Sequence, residues 1–477
     1  MTTLAAEFVT RLARGDDVAN CLDCAGEPDP SSAAQHFAAA AADPDLAGGL
    51  AAWAPRLLVS ARPGFGASAL REIAERARRA GAPVDITQTP TLPHVLGASG
   101  VLARMLQRHP EWLAELRGEP PAAPECQTIS SDWTAIRHTK YRGLLRIAAR
   151  DLAGRPFADG FRELSDLADV CLSAALECAV REREAPMPAL LALGKLGGSE
   201  LNFSSDVDVL FLHEPPADAD PPAYNAAIAG VIERFKQGLE APTPDGFGYR
   251  VDLDLRPEGR AGVLANSVDA ALSYYEAFGA EWERQMLIRL RPVTGDARAA
   301  ERFAAEIVPF VYRRSIGSDV MHEVRSMKDR IESERKRSGR DLEANLKEGP
   351  GGIRDVEFLT QWLQLFYGGR EPELRTGNVL DALGVLARRG LLPEATCAAL
   401  GDAYVWLRRA EHALQLAEER QTARFPREPA DQLELARRMG YENESGDAAR
   451  VQLLDDWTST RSEVRGHFDA LVLRGAE

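Results

Sequence analysis

Two aspartates flanking one valine, Asp206-Val-Asp208, are the residues in this chain whose type and spacing most directly suggest chemistry. They open the run DVDVLFLH at 206–213, whose apolar residues predict a buried strand. Residues two apart on a strand share a face. Both carboxylates would therefore project together, with Val207, Val209 and Phe211 on the other face, in the core. Paired carboxylates on a sheet face are costly unless they are solvated or bind cations. Mg²⁺ is the expected cation, because it favours carboxylate oxygen, water and substrate phosphate.

A further strand is expected in GYRVDLDLRP at 248–257, ended by Pro257. Asp252, Asp254 and Arg256 alternate along it and would share one face. Laid beside the first strand, it brings Asp252 to Asp206 and Asp208. Three such carboxylates can hold two metals for in-line displacement at phosphorus. Upstream, Gly194-Lys-Leu-Gly-Gly-Ser ends a short apolar run. Gly197 and Gly198 would let the backbone approach a phosphate closely, with Lys195 adding positive charge. A lone Asp-x-Asp or Gly-Gly is most often an exposed turn. The ordered combination of strand, Gly-Gly, Asp-x-Asp on a strand and a third strand aspartate favours catalysis.

These residues need a sheet to carry them, and the chain around them is otherwise helical in pattern. The first ~120 residues are rich in Ala and Leu, with Pro and Gly breaks at 27–32, 61–66 and 87–93. The segment 118–125 has linker composition, and 131–184 has the pattern of a long amphipathic helix region. Runs 188–194 and 206–213 predict buried strands, 215–222 a solvated loop and 224–239 a helix. Beyond about 300 the pattern is helical again, with Gly368 and Gly369 as a C-cap. The expected class is α+β, mostly helical. Its parts are an N-terminal helical region at 1–125, a catalytic α/β domain at 126–300 and a C-terminal helical bundle at 301–477. The glycine and aspartate motif is not repeated along the chain.

Composition narrows the partners. The chain has 477 residues, of which 45% are hydrophobic and 27% charged, as in ordinary globular proteins of several domains. A net charge of −15 disfavours a nucleic-acid backbone as partner. Six cysteines, at 21, 24, 126, 171, 178 and 397, suit a reducing cytoplasm. Cys21 and Cys24 form a CxxC with neither a second pair nor a nearby histidine, so a zinc site is not expected there. The N-terminus lacks the pattern of a secretory signal, and no window approaches the ~20 apolar residues of a membrane span.

The Gly-Gly/Ser then Asp-x-Asp pattern resembles the polymerase-beta type of nucleotidyltransferase. More closely, LALGKLGGSELNFSSDVDVLFLHE resembles the glutamine synthetase adenylyltransferase/adenylyl-removing enzyme family. Supporting segments are LGASGVLARMLQRHPEWL (96–113), GYRVDLDLRPEGRAG (248–262), EWERQMLIRLRPVTGD (281–296), FVYRR (310–314), LKEGPGGIRDVEFLTQWLQLFYGGREPELR (346–375) and LRRAEHALQL (407–416). The likeness covers roughly 95–420, and the first 90 residues add little to it.

The resemblance implies a polymerase-beta-like catalytic domain, Mg²⁺, ATP or ADP and phosphate, and glutamine synthetase as protein substrate, with a PII-type signal protein as a further partner. Nucleic acid and membrane are not expected partners. Family members usually carry two catalytic halves, one attaching AMP to a tyrosine and one removing it by phosphorolysis. This chain would correspond to one half. GGIRDVEF and REPEL look more like the removing one. Asp206, Asp208 and Asp252 match the family's catalytic and metal-binding carboxylates. The nucleotide- and phosphate-binding set expected here is Lys195, Gly197, Gly198, Ser199, Ser205 and Arg256. Family members often have arginine where this chain has Asp254, so either Asp254 points away or Arg256 or Arg260 takes that role.

Other functions stay open at this stage: the attaching reaction, a non-catalytic module docking glutamine synthetase or a PII-type protein, or a nucleotidyltransferase with another substrate. So do lesser roles. Lys347 and the loop 348–354 read equally as an anion-binding helix start and as a plain loop. Glu283 and Arg284 read as a surface ion pair, His412 as structural, and 326–343 as a solvated charged face.

Overall fold

The computed structural model describes residues 3–118, 132–313, 342–441 and 445–474. All but Gly118 of the linker expected at 118–125, Cys126, Arg314 and the charged run 326–343 as far as 341 lie outside the described residues. The fold is α+β and mostly helical. Among the described residues no helix is long and apolar enough to cross a membrane.

Five short strands form one mixed sheet: β1 Ala189–Ala192, β2 Val207–His213, β3 Val251–Asp252, β4 Ala265–Ser267 and β5 Arg291–Thr294. The order is β3-β2-β1-β5, with β4 also on β2. β1 runs antiparallel to both β2 and β5. β3 and β4 share one edge of β2, both parallel to it. β3 pairs at the start of β2 (Val207↔Val251, Asp208↔Asp252) and β4 at its end (Phe211↔Ala265 to His213↔Ser267). The chain between them leaves the sheet after Asp252 and returns at Ala265.

Val207, Val209 and Phe211 turn to one face, as their alternation requires, and join a core with Ile228, Val231 and Phe235. Phe211 meets Phe235 edge to face at 5.4 Å. The alternate residues Leu210 and Leu212 pack on the other face against Val268, Tyr275 and Phe303. Burying each such side chain is worth roughly 1.5–3 kcal/mol, which fixes the register that aims Asp208.

On one face α1 Trp133–Leu152 backs α2 Phe157–Arg183, which together with α3 Pro221–Glu240 packs on the strands, and the helices Val268–Phe278 and Ala297–Glu306 pack on the other. The helical region expected over 131–184 is thus two helices. Pro156 and the left-handed Gly154 (φ +88°) break it. The core on this face runs without interruption into the first helices, from Phe8 through Trp53 and Leu102 to Leu239. A separate core, Leu346 to Phe468, belongs to the C-terminal helices, among them α4 Ile353–Tyr367 and α5 Glu394–Glu418.

The strand expected over 248–257 is only two residues long. After Asp252 the chain turns, because Arg256 folds back onto its own loop. Its Nη1 donates to Leu253 O (2.8 Å), its Nε to Val263 O (3.0 Å) and its Nη2 to Gly262 O (3.1 Å). Asp252, Asp254 and Arg256 therefore do not share one strand face.

Candidate active site

Asp208 lies on β2 directly beside Asp252 on β3. Partners across a parallel pair stand on the same face about 5 Å apart. Asp206 enters the same strand two residues earlier. Burial raises the Asp208 carboxyl, and the charges of Asp252 and then Asp206 add to it. Lys347 and Lys195 pull the other way, and the result is about 6. A largely buried acid with that titration sits beside carboxylates that remain short of positive charge, an arrangement that a divalent cation would relieve.

Gly194 makes the approach to Asp208 possible. It is left-handed (φ +54°), and a Cβ there would stand 2.0 Å from Asp208 Oδ2. The backbone of 194–197 forms a single helical turn after β1. Asp206 is held from two sides: Arg250 Nε donates to its Oδ1 at 2.5 Å and Gln421 Nε2 to its Oδ2 at 3.0 Å. Arg250 also donates to Ser204 O at 2.6 Å. Asp252 Oδ1 accepts from the Asp254 N–H at 2.7 Å, a turn that begins the excursion of the loop.

Behind the carboxylates, α5 closes over the segment 200–205. Lys195 Nζ donates to both oxygens of Glu411 (2.7 and 2.8 Å), and burial lowers its ammonium to about 8 despite Glu411. Asn202 Nδ2 reaches Glu411 at 2.6 Å, Ser204 N donates to Gln415 at 3.0 Å, and Phe203 N to His412 Nδ1 at 3.3 Å. Arg408, fully buried, donates to Glu200 O, Asn202 Oδ1 and the Tyr404 hydroxyl.

Comparison with known proteins fits this geometry. A family model described as glutamate-ammonia ligase adenylyltransferase matches residues 89–306, which include every strand of the sheet. A second, described as GlnD PII-uridylyltransferase, matches 325–472. The bifunctional glutamine synthetase adenylyltransferase/adenylyl-removing enzyme of Nitrosococcus oceani is 36% identical over 418 residues, 80% of this chain and 42% of that protein. Those of Streptomyces avermitilis and Stenotrophomonas maltophilia are each 37% identical, over 72% and 78% of this chain and 36% and 42% of their own length. The chain is thus similar to the glutamine synthetase adenylyltransferase family over its sheet-bearing part and to these relatives over most of its own length. It spans less than half the length of these relatives.

Within that family frame several expected roles move. Gly197 and Gly198 do permit close approach, but to this chain's own backbone. Their Cβ positions fall 1.8 Å from Arg289 O and 2.7 Å from Gly377 O. Ser205 Oγ accepts from Asn202 N at 3.1 Å, and Ser199 is a left-handed residue (φ +53°) ending the Gly-Gly turn. Arg256 is committed to carbonyls. Asp254 points away, to exposed Arg260 at 2.7 Å. Glu283 and Arg284 are buried, not a surface pair. Glu283 accepts from Ala280 N (2.7 Å) and the Tyr274 hydroxyl (3.1 Å), while Arg284 packs on Phe310. At the start of α4 the N–H groups of Ile353 and Arg354 go to Leu346 O and Lys347 O, so the helix end is occupied by its own chain. Cys21 and Cys24 are free thiols.

Sequence reasoning missed Arg250, Gln421 and Glu411, and left Lys347 undecided. Arg250 was legible: it stands two before Asp252, on the same face of the same run. Glu411 lies inside the LRRAEHALQL segment, but its partner Lys195 is 216 residues away. Such pairing leaves no local signal.

Proposed function

We propose that this chain catalyses transfer of AMP on glutamine synthetase, in the direction of removal. Inorganic phosphate attacks the AMP phosphorus on an adenylylated tyrosine, the tyrosine oxygen leaves, and ADP is the second product. The observation that carries this reading is the raised, cation-poor carboxylate Asp208 beside Asp252 and Asp206. Such a donor set suits Mg²⁺, whose two charges would neutralise phosphoryl oxygens as the bond to tyrosine breaks. Asp206, Asp208 and Asp252 would hold it.

The remaining work falls to side chains. Lys347 brings positive charge toward the carboxylates and is a candidate for a phosphate contact, as is Lys195. Arg250, half-exposed on Asp206, can trade that carboxylate for a phosphate when a cation takes its place. Glu411 keeps Lys195 oriented. Direction rests on the likeness of the GGIRDVEF and REPEL segments to the removing half. The match of 325–472 to a PII-uridylyltransferase model favours a PII-type protein as regulator, bound through the C-terminal helices.

The deciding experiment offers purified protein glutamine synthetase in both forms. Adenylylated enzyme with phosphate should yield ADP and unmodified tyrosine. Label incorporated from ATP with release of pyrophosphate would reverse the direction. Neither product would leave a docking module without catalysis.

A further inference from the structure

Outside the carboxylate cluster, three side chains converge on one point. His109 follows the helix Gly100–Arg108, His138 lies on α1, and Asp245 sits in the tight Thr243–Gly246 turn that leads to Arg250. His109 Nε2 stands 3.0 Å from Asp245 Oδ1, and His138 Nε2 stands 3.2 Å from Asp245 Oδ2. One ligand atom from each residue can be chosen so that all lie within 4.8 Å of one another.

The surroundings hold these groups in place. The His109 ring stacks on Trp112 at 4.3 Å, and His138 meets both rings edge-on. Asp245 N donates to Thr243 Oγ1 at 3.2 Å. None of the three is fully buried, so an ion could enter from solvent.

The second ring nitrogen of His109 is the telling contact: Nδ1 stands 3.1 Å from Glu111 Oε1. A neutral imidazole has one N–H and cannot donate to carboxylates on both sides. In the neutral ring that donates Nδ1–H to Glu111, Nε2 turns its lone pair toward the Asp245 side. Histidines that bind metals characteristically donate Nδ1–H to a carboxylate and turn Nε2 to the ion, which is the Glu111–His109 arrangement.

We propose that His109, His138 and Asp245 form a binding site for a divalent transition metal, with Zn²⁺ the best fit. Zinc takes imidazole nitrogen and carboxylate oxygen at about 2.0–2.2 Å, which sets neighbouring tetrahedral ligands roughly 3.3 Å apart. His109 Nε2 at 3.0 Å from Oδ1 and His138 Nε2 at 3.2 Å from Oδ2 are close to that with the Asp245 carboxylate binding through both oxygens. Water completes the shell. Arg108, whose Nε reaches Asp245 Oδ1 at 2.5 Å and whose side chain is half in solvent, must withdraw. The bound ion would tie the first helical region and α1 to the turn before β3, a structural clip separate from the candidate active site.

The test titrates Zn²⁺ by calorimetry into chelator-treated Asp206→Asn/Asp208→Asn protein, in which the active-site carboxylates are neutralised. One ion per chain should bind and raise the melting temperature. Co²⁺ should give tetrahedral visible bands without thiolate charge transfer. His138→Ala and Asp245→Asn should lose the ion. Glu111→Gln should weaken it about 10–100-fold, and Arg108→Gln should tighten it. Glu111 and Arg108 are exposed, so those variants stay folded and move affinity in opposite directions. Absence of stoichiometric binding, or binding indifferent to Glu111→Gln and Arg108→Gln, would overturn the proposal.

Discussion

Two clusters of charged side chains share the segment from Gly194 to Asp208, and they are built on opposite terms. In the first, Glu200, Glu357 and Glu411 face Arg289, Arg408 and Lys195, three anions against three cations. Arg408 and Glu200 are 0% and 2% exposed. In the second, Asp206, Asp208 and Asp252 share Arg250 and the more distant Lys347. Burial pushes acids up in both. In the first cluster Arg289 and then Arg408 reverse it for Glu357, carrying that carboxyl down to about 2, and Lys195 and Arg408 reverse it for Glu411, while Glu200 stays raised by burial. In the second no cation does so for Asp208, which stays near 6. Burial alone therefore does not distinguish a structural acid from a functional one. Charge balance separates the clusters as wholes: the first matches its anions with cations within the chain, and the second is short of a cation.

The sharpest way to break the contrast is to neutralise one member of each. Asp208→Asn should reduce AMP transfer in either direction by roughly 10³-fold or more, about 4 kcal/mol, with the fold unchanged by circular dichroism. Retained turnover would remove Asp208 from the chemistry. Arg408→Met should act the other way round. It strands Glu200 and Asn202 in the interior and should cost about 3–5 kcal/mol in urea unfolding. If Arg408→Met left stability intact but removed activity, the two clusters would not differ in kind.

Gly194 is where the two requirements meet, since its backbone carries Lys195 and its missing side chain admits Asp208. Gly194→Ala puts a methyl onto Asp208 Oδ2 at a left-handed position. It should cost about 1–3 kcal/mol of stability and weaken Mg²⁺ binding at least tenfold, read by calorimetry. Unchanged Mg²⁺ affinity would show that Asp208 has room to move.

The carboxylate cluster should also leave a signature in pH. Asp208 titrates near 6 folded and near 3.9 unfolded, so folding favours its protonated form. That contribution is fully present below about pH 4 and is lost as pH rises through about 6. In metal-free buffer at pH 8, Asp208→Asn should therefore be about 1–2 kcal/mol more stable than the parent, allowing for screening by solvent, and the gain should vanish near pH 4. Mg²⁺ affinity of the parent should fall as pH drops below 6. A parent chain as stable as Asp208→Asn at pH 8 would mean its carboxylates are already balanced.

How much of this was legible follows from the range of each interaction. The α+β class, β1 and β2, and the aspartates on one face came from local period and composition, because a buried strand must alternate. The third strand was overextended. The alternation of GYRVDLDLRP continues past Asp252, while Arg256 finds carbonyls at 253 and 260–263 that end the strand. The glycines were seen but assigned to a phosphate, since nothing local announces that Arg289 and Gly377 approach them. The network of α5 was invisible for the same reason: its partners lie over 200 residues apart in sequence.

Asp254 gives the smallest expected effect. Its carboxylate pairs with exposed Arg260, outside both clusters. Only its backbone N–H touches the site, through Asp252. Asp254→Asn keeps that N–H, so activity and melting temperature should match the parent within error. An exposed pair that exchanges one partner for water changes little. A tenfold loss of AMP transfer would place the Asp254 carboxylate at the reacting groups, and the cation-poor cluster would then have four members.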